Sequence, residues 1–381
     1  MKNIELNKYQ TPYYAYDLDL LNRTIDACLN EANKYEFHIH YALKANANEK
    51  ILELISSKGL GADCVSGNEV LKAIDSKFPS HKIVFAGVGK SDNEINDALD
   101  ANIFCFNVES FQELEVLNDL AQKKSKLARI AIRINPNVNA HTHHYITTGL
   151  EENKFGFNHW ELESFTKAIN NYKNLELIGL HFHIGSQITD MKVFKSLCVK
   201  VMEYNQWFKH MGFDIKVLNL GGGLGIDYTN PDDNEIPNFT EYFSIFNKFI
   251  NRFDGQEIHF EIGRALVAQC GTLISKVLYI KEGMNTNFAI LDAGMTELLR
   301  PALYQAYHKI ENLSNTNTSE KKKYDVVGPI CESSDSFGKA VELPITKRGD
   351  YIAIRSAGAY GEVMSSGYNL RKQNASVFTN A

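Results

Sequence analysis

Short apolar segments alternate with longer amphipathic segments from about residue 37 onward. The longer segments, such as residues 49–57 and 110–120, repeat apolar residues at i, i+3 and i+4, which predicts helices. The short segments have the length and residue types of strands, so the alternation predicts repeated β–α units. Eight of them succeed one another, which favours a closed (β/α)8 TIM-like barrel over an open sheet. They are FHIHYALKAN, LGADCVSGNE, KIVFAGVGK, NIFCFNVES, ARIAIRINP, LIGLHFHIGSQ, KVLNLGGGLG and EIHFEIGRA.

The helical alternation fades after about residue 265, where the β-type segments TLISKVLYI, FAILDAG, YDVVGPI and DYIAIRSAG follow. A polar stretch at residues 311–323 predicts an exposed loop. The segment TPYYAYD near the N-terminus is another strand signal, and it could pair with this second half. We therefore predict a (β/α)8 barrel over residues 16–265. A β-rich domain of barrel or sandwich type would comprise residues 266–381 together with residues 1–15.

Composition narrows the functional class. The chain of 381 residues is 44% hydrophobic and 23% charged, with a net charge of −6, so neither nucleic acid nor an anionic membrane is expected as a partner. No apolar run approaches the roughly 20 residues that span a bilayer, and the N-terminus lacks the apolar core of a signal peptide. The six cysteines are scattered without a CxxC pair, which argues against a disulfide framework. We expect a cytoplasmic enzyme.

Chemically versatile residues stand at the C-terminal ends of the predicted barrel strands, where a (β/α)8 barrel opens its ligand site. They are Lys44, Asp63, Asn107 with Glu109, Arg133, His183 with Ser186, residues 221–223, and Glu261 with Arg264. A purely structural role would scatter such residues over helix surfaces. A desolvated lysine at position 44 would have a lowered pKa and could form a Schiff base, although its position alone also fits a surface lysine.

Two glycine-containing loops follow the last two predicted strands. GGGLG comes after KVLNL, and EIGRA completes the next strand. Glycines let backbone N–H groups wrap an anion, and the loops after strands seven and eight are the usual phosphate site of this barrel. The spacing does not match the dinucleotide-binding fingerprint, and a lone GGG could be only a tight turn.

Two histidines, His181 and His183, share the segment HFHIGSQ. We expect them on opposite faces of the strand, one facing the barrel mouth and the other packing. Metal binding would need a third ligand, and none stands at a fitting spacing, so no metal site is predicted.

Seven motifs in order, spread over nearly the whole chain, closely resemble those of the bacterial diaminopimelate decarboxylases: YALKAN, HFHIGSQ, NLGGGLG, EIGRA, DAGMTELLRPALY, GPICESSD and GAYG. This family belongs to the barrel-type (fold type III) pyridoxal-phosphate enzymes, with ornithine and arginine decarboxylases and alanine racemase. The resemblance implies decarboxylation of meso-2,6-diaminopimelate at its D-centre to L-lysine and CO2, the last step of lysine biosynthesis. The cofactor would be pyridoxal 5'-phosphate, acting through a Schiff base and a quinonoid.

The resemblance also implies residue roles at the cofactor. Lys44 would hold it covalently, His183 would stack on its ring, and Glu261 would keep the pyridine nitrogen protonated, so that the ring accepts electrons. Further cofactor-binding residues implied by the motifs are Asp63, Ser186, Gly222, Gly223, Gly263, Arg264 and Tyr360.

Other implied roles concern the substrate and a second subunit. Cys331 would come from the partner subunit as proton donor after CO2 loss, although a buried apolar position is the commoner fate of a free cysteine. An arginine reads a carboxylate with two hydrogen bonds, and an acidic residue reads an ammonium. The implied substrate-binding residues are Arg264, Arg300, Tyr304, Tyr360 and Glu332, the last also from the partner. Sites shared in this way imply at least a homodimer.

Three alternatives stay open. A carboxynorspermidine decarboxylase would also bind a distal amino-acid head, but CES together with RPALY fits diaminopimelate better. A racemase of this class sets an arginine against the pyridine nitrogen, where this chain has Glu261. A non-catalytic pyridoxal-phosphate protein would be expected to lose Lys44 or Cys331. One departure is visible: the family loop reads Glu-Pro-Gly-Arg, and Ile262 replaces the proline, with little expected effect beyond loop stiffness.

Overall fold

The computed structural model describes residues 6–138, 154–316, 319–372 and 375–379. Within these ranges the chain forms sixteen strands and ten α-helices. The strands are β1 Tyr13–Asp17, β2 Phe37–Ala42, β3 Gly61–Cys64, β4 Ile83–Phe85, β5 Cys105–Val108, β6 Ala128–Arg133, β7 Leu175–His181, β8 Val217–Asn219, β9 Glu257–Ile262, β10 Gly271–Glu282, β11 Asn287–Leu291, β12 Ile310–Asn312, β13 Lys321–Val327, β14 Ser336–Pro344, β15 Tyr351–Ile354 and β16 Ala375–Thr379. The helices are α1 Leu18–Asn33, α2 Glu49–Ser57, α3 Gly67–Asp75, α4 Asp92–Asp100, α5 Phe111–Lys123, α6 Leu162–Ala168, α7 Met191–His210, α8 Phe239–Phe249, α9 Arg264–Val267 and α10 Arg300–Tyr304.

Two compact units divide the chain. The first, called the barrel unit below, comprises Ile25–Gly225 and Asn238–Gly263. The second, called the β-rich unit, comprises Met1–Thr24, Ile226–Pro237 and Arg264–Ala381. The domain boundaries predicted from the sequence stay a prediction.

The barrel unit contains a closed parallel barrel of eight strands, β2 to β9 in chain order. Each strand pairs with the next, and β9 returns to β2 with Phe37 opposite Ile258 and Tyr41 opposite Ile262. All eight apolar segments that the sequence analysis identified form these strands, so the predicted barrel is confirmed. Its parallel strands bring their carboxyl ends to one mouth.

Polar residues after the strands start the helices that follow. The side chains of Ser66, Ser91 and Ser110 each accept a hydrogen bond from the backbone N–H three residues on, and thereby cap α3, α4 and α5. At Ser91 the cap is reciprocal, because Glu94 accepts the Ser91 N–H. Each such cap contributes about 1 kcal/mol and fixes where the strand-to-helix turn ends.

Period-two alternation divides β9 between the two sides of the barrel wall. Phe260 points outward into an aromatic cluster with Tyr242, Phe243 and Phe246 of α8, at ring-centroid distances of 4.9 to 5.7 Å. Glu261 points inward and is buried. The same strand therefore carries the packing residue for the outer helix and a carboxylate for the barrel mouth.

The β-rich unit is built on a mixed sheet in the order β12-β15-β10-β11-β13-β14. The N-terminal strand β1 pairs antiparallel with β10 and parallel with β16, which confirms that the TPYYAYD segment pairs with the second half. The predicted loop at residues 311–323 was partly wrong, since strands occupy both its ends. Residues 321–323 pair antiparallel with residues 342–344, and the ammonium of Lys322 stays at the surface, 2.6 Å from a carboxylate oxygen of Glu282. Residues 317–318 lie outside the described residues.

The six cysteines are all free, as the sequence analysis expected, and Cys331 is the exposed one. No helix in the described part of the chain has the length and apolar character needed to cross a membrane.

Candidate active site

An ion pair between neighbouring strands stands at the barrel mouth. Lys44 lies in the turn that follows β2, and its Nζ is 2.8 Å from Oδ2 of Asp63 in β3. Asp63 is completely buried, whereas the Lys44 side chain is 33% exposed. Burial and then the nearby Glu261 carboxylate raise the pKa of Asp63, and Lys44 acts in the opposite direction. The buried carboxylate thus anchors an ammonium that a ligand can reach.

Three polar side chains hold the carboxylate of Glu261 at the mouth. Its Oε1 accepts from Nδ2 of Asn219 at 2.7 Å and from Nδ2 of Asn107 at 3.1 Å, and its Oε2 lies 3.0 Å from Nε2 of His181. Burial alone would raise the pKa of Glu261, but the His181 imidazole and its hydrogen bond hold it well below its usual range. Glu261 is therefore a buried carboxylate kept ionised by its neighbours.

The two histidines of HFHIGSQ do not take opposite faces, so that expectation was wrong. Residues two apart on a strand point to the same side, and here His181 ends β7 with its ring against Glu261. His183 follows two residues later and also lies near the Glu261 carboxylate. Burial, then Lys44 and Arg133, hold the pKa of His183 well below its usual value, so the ring is neutral.

The glycine loop after β8 depends on backbone shapes that other residues rarely adopt. Gly221 and Gly223 have φ of +65° and +102°, and a Cβ on Gly222 would collide with the backbone oxygen of Glu261. The Gly223 carbonyl accepts from the Ile188 N–H at 2.9 Å, which joins this loop to the one containing Ser186. The two loops therefore present their backbones together at the same end of the barrel.

The loop after β9 departs from the family motif without breaking the strand. Ile262 is the last residue of β9 and is buried, with Tyr41 as its pairing partner. A Cβ on the next residue, Gly263, would meet the side chains of Ala42 and Ala45 at 3.0 Å, so a larger residue would force a shift in this loop.

The predicted substrate residues that belong to the β-rich unit form a cationic cluster. Arg264 donates to the Tyr228 hydroxyl at 2.6 Å, and its guanidinium lies 4.8 Å from the Tyr360 ring centroid. Arg300 donates to Nε2 of His308 at 2.8 Å and lies 4.9 Å from the Tyr228 ring centroid. Helix α10 confirms that RPALY is helical, so Tyr304 shares a face with Arg300.

Arg300 is buried, with 6% of its surface exposed. Among the residues that the structure describes, none supplies a carboxylate within ion-pair distance of it. Burial and then the neighbouring Arg300 charge lower the pKa of its partner His308 to about 3, so that ring is neutral, and its Nδ1 donates to the Arg355 carbonyl at 2.8 Å. A buried guanidinium whose own contact partners are neutral, with a second arginine nearby, favours an anionic ligand.

Cys331 and Glu332 lie on an exposed loop of the β-rich unit. Oδ2 of Asp335 accepts from the Ile330 N–H at 2.7 Å, which fixes the base of this loop. Glu332 accepts from the Tyr368 hydroxyl at 2.8 Å. Neither Cys331 nor Glu332 is buried in its own chain, so both are available to another molecule.

Sequence reasoning missed the parts played by three residues around Glu261. His181 was expected only to pack or face the mouth, Asn107 was noticed without a role, and Asn219 was not singled out. The available signal was a polar residue inside an apolar strand segment, as in VLNL, because such a residue on the inner face of a barrel must have a hydrogen-bonding partner. The buried ion pair of Glu109 with Arg133, 2.9 Å apart, also had no assigned role.

The chain is similar to known proteins over most of its length. The family model for the pyridoxal-dependent decarboxylase, pyridoxal binding domain, matches residues 18–268. A diaminopimelate decarboxylase of Bacteroides thetaiotaomicron is 55% identical over 95% of this chain and 94% of its own length. One of Aquifex aeolicus is 41% identical over 97% of this chain and 86% of its own length.

Solved structures agree with the sequence relatives. The crystal structure of diaminopimelate decarboxylase from Helicobacter pylori complexed with L-lysine superposes with a TM-score of 0.92 at 41% identity, over 98% of this chain and 92% of that one. The arginine decarboxylase of Paramecium bursaria Chlorella virus, at 21% identity and a TM-score of 0.85, shares the fold. Together with the family model, these similarities show that the chain belongs to the diaminopimelate decarboxylase family of carboxy-lyases, whose cofactor is pyridoxal 5'-phosphate.

Proposed function

We propose that this chain decarboxylates meso-2,6-diaminopimelate at its D-centre and releases L-lysine and CO2, the last step of lysine biosynthesis. The observation that carries the choice of substrate is Arg300, a buried arginine whose described partners are neutral. Diaminopimelate has a second carboxylate at its far end, whereas ornithine and arginine have none. The substrate would supply the anion that this buried cation favours.

The residues at the barrel mouth fit pyridoxal 5'-phosphate. Three buried polar atoms there, Oδ1 of Asp63, Oδ1 of Asn107 and Nδ1 of His181, have no hydrogen-bond partner among the described residues. We assign the backbone N–H groups of Gly222 and Gly223 to the cofactor phosphate, and Ser186, Gly263, Arg264 and Tyr360 to the same cofactor. When bound, the cofactor supplies an electron sink for the pair of electrons left by the departing CO2.

Glu261 suits the nitrogen of the cofactor ring, and His183 suits its face. An ionised, buried carboxylate holds a proton on the pyridine nitrogen, and the low pKa of Glu261 supports this role. The uncharged imidazole of His183 suits stacking on an aromatic face. We assign Glu261 to the nitrogen and His183 to the ring face.

Lys44 must lose a proton before its amine can bond to an aldehyde carbon. Asp63, 2.8 Å away, has a raised pKa and is correspondingly a better proton acceptor than an exposed aspartate. We infer that Asp63 orients the Lys44 Nζ and takes part in moving its proton.

The carbon that loses CO2 must receive a proton in place of the broken C–COO⁻ bond. We assign the Cys331 Sγ of a partner subunit as the donor, with Glu332 of the same loop binding the distal ammonium. Exposure supports an interface at this loop, because Leu370, two residues from the Tyr368 that bonds Glu332, is 97% exposed. A homodimer is the smallest assembly that satisfies this assignment. Arg300, Arg264, Tyr304 and Tyr360 would bind the rest of the substrate.

The experiment is CO2 release by the purified, cofactor-loaded protein with meso-diaminopimelate, L-ornithine, L-arginine, L-lysine and carboxynorspermidine in parallel. We expect turnover of diaminopimelate alone, with L-lysine as product. Arg300→Gln should raise KM for diaminopimelate, whereas the control Arg355→Gln, which changes an arginine paired with Asp232 and Glu311, should not. Turnover of a polyamine precursor instead would disprove the substrate assignment.

Cys331→Ala separates proton donation from cofactor binding. We expect the variant to keep the cofactor spectrum and to lose about 10²- to 10⁴-fold in kcat, as for a general acid. Near-normal turnover would remove Cys331 from the mechanism.

A further inference from the structure

A second cluster of ionisable side chains lies in the barrel unit, at the amino-terminal ends of β2 and β9. His38 of β2 stands directly opposite His259 of β9 in the strand register. Glu257, two residues before His259 on the same face, places its Oε2 3.0 Å from the His259 Nε2. One ligand atom from each of His38, Glu257 and His259 lies within 4.8 Å of the others. The catalytic roles proposed above use none of these residues.

Hydrogen-bond partners fix which nitrogen of His259 carries a hydrogen. The Lys82 carbonyl can only accept, so Nδ1 of His40, 3.0 Å away, must donate. With its hydrogen on Nδ1, the His40 ring presents Nε2 as an acceptor. The donor to that Nε2 is Nδ1 of His259, at 2.8 Å.

The other nitrogen of His259, Nε2, faces the carboxylate of Glu257 at a distance of 3.0 Å. This short distance fits either a hydrogen on Nε2 or a metal ion bound by both groups. A ring nitrogen of His38 approaches the same point from the neighbouring strand.

We propose that His38, Glu257 and His259 bind a divalent transition-metal ion of the Zn²⁺ class, with water or another ligand completing the coordination. Two imidazoles and one carboxylate are a donor set that suits Zn²⁺. Ligating histidines usually donate their second N–H to a fixed partner, and here the His259 N–H is held by His40, which is itself held by the Lys82 carbonyl.

Two cations also act on His38, namely Lys82 and Arg252. Each has a partner of its own. The Lys82 Nζ donates to the Gly59 carbonyl at 3.0 Å, and Arg252 lies 3.9 Å from a carboxylate oxygen of Glu36. The carboxylate of Glu257 therefore supplies the negative charge of the site.

The position of the site gives it a structural consequence. β2 and β9 are the first and last strands of the barrel, and their pairing closes it. A metal ion held by both strands would link two segments far apart in sequence, and such links stabilise by restricting the unfolded chain. The ion would strengthen the seam of the barrel, at the end opposite to Lys44.

The test is a Zn²⁺ titration of the cofactor-loaded protein after dialysis against a chelator, with calorimetry for stoichiometry and thermal unfolding for stability. We expect wild type to bind one Zn²⁺ per chain that His38→Ala and Glu257→Gln bind at least about 10-fold more weakly. Zn²⁺ should raise the Tm of wild type and not that of these two variants. Both substituted side chains are exposed, so the variants should fold.

His210→Ala is the matched control, because His210 is an exposed histidine at the end of α7 in the same unit. It should bind Zn²⁺ as wild type does. Absence of Zn²⁺ binding by wild type would overturn the proposal. So would equal affinity in wild type and His38→Ala, since the ion would then lie elsewhere, and Glu257 would simply pair with a protonated His259.

Discussion

Replacing Asn219 by aspartate would test the electrostatics of the barrel mouth. The Asn219 Nδ2 donates to the Glu261 Oε1 at 2.7 Å, and its Oδ1 accepts from the Gly221 N–H at 3.0 Å. Asn219→Asp keeps the acceptor for Gly221 but replaces the donor by a second carboxylate of nearly the same shape. The change therefore isolates one contact.

The size of the effect follows from comparing two free energies, the repulsion between two ionised carboxylates and the cost of keeping one of them protonated. Two ionised carboxylates 2.7 Å apart repel by about 6 kcal/mol at an effective dielectric constant of ~20. Keeping one of them protonated at pH 7 costs about 4 kcal/mol, given an ordinary aspartate pKa of about 3.9 and 1.36 kcal/mol for each pH unit. Protonation costs less, so the folded variant should hold one shared proton.

The sign of the pH dependence is then fixed. The folded variant has a carboxyl pKa above that of the unfolded chain, so its stability relative to wild type is greatest at low pH and falls as the pH rises. Between pH 5 and pH 7 the deficit should grow by about 2.7 kcal/mol. For a unit of 150–250 residues, where each kcal/mol moves Tm by roughly 2–4 °C, this is about 5–11 °C.

The assay is differential scanning calorimetry of wild type and Asn219→Asp at pH 5, 6 and 7. Asn219→Ala is the control, because it removes the same donor without adding a titratable group. Its Tm deficit should not change with pH. A deficit of Asn219→Asp that is equally flat from pH 5 to 7 would refute the reasoning, because no proton would then be shared with Glu261.

Three further predictions concern the barrel unit. Lys44→Ala should abolish turnover and the visible absorption of the covalently held cofactor, and a band that survives dialysis would contradict the assignment of this lysine. Glu109→Gln leaves the buried Arg133 without its carboxylate and should lower the free energy of unfolding by about 3–5 kcal/mol in urea; a loss below 1 kcal/mol would show that the pair is not needed. Phe260→Ala should cost about 3–5 kcal/mol in thermal unfolding through the cavity left under α8, whereas Leu71→Ala, at a 42% exposed position, should be nearly neutral, and equal losses would contradict this account of the packing.

The barrel could be predicted from sequence because each of its strands is a local signal. An apolar segment followed by an amphipathic one needs no distant partner to be recognised, and residues 49–57 were predicted as the helix that the structure contains. The strands β12 and β14 and the lysines at the start of β13 were missed for the opposite reason. Their residues form strands only through pairing with segments that lie elsewhere in the chain.

The candidate site divides in the same way. Lys44, Asp63 and Glu261 could be predicted as site residues because they stand at the ends of strands. A closed parallel barrel brings these strand ends together at one mouth. The hydrogen-bond partners of Glu261 could not be predicted, because they come from β5, β7 and β8, which are far apart in sequence. Spacing along one segment could not group the residues at 38, 257 and 259, because they come together only where the first strand of the barrel pairs with the last.

The inward residues of β9 connect these observations. Glu257, His259 and Glu261 lie at every second position, with Ile258, Phe260 and Ile262 between them on the outer face. A slip of one residue would place three apolar side chains inside the barrel and two carboxylates against the aromatic face of α8, where nothing could hydrogen-bond them. Burying an unpaired carboxylate costs far more than the packing of one phenylalanine returns. The alternation that places Glu261 beside its donors therefore also holds β9 in register. Substitutions that remove the polar partners of Glu257 or Glu261, at the two ends of the strand, should weaken the pairing of β9 with β2 along the barrel seam.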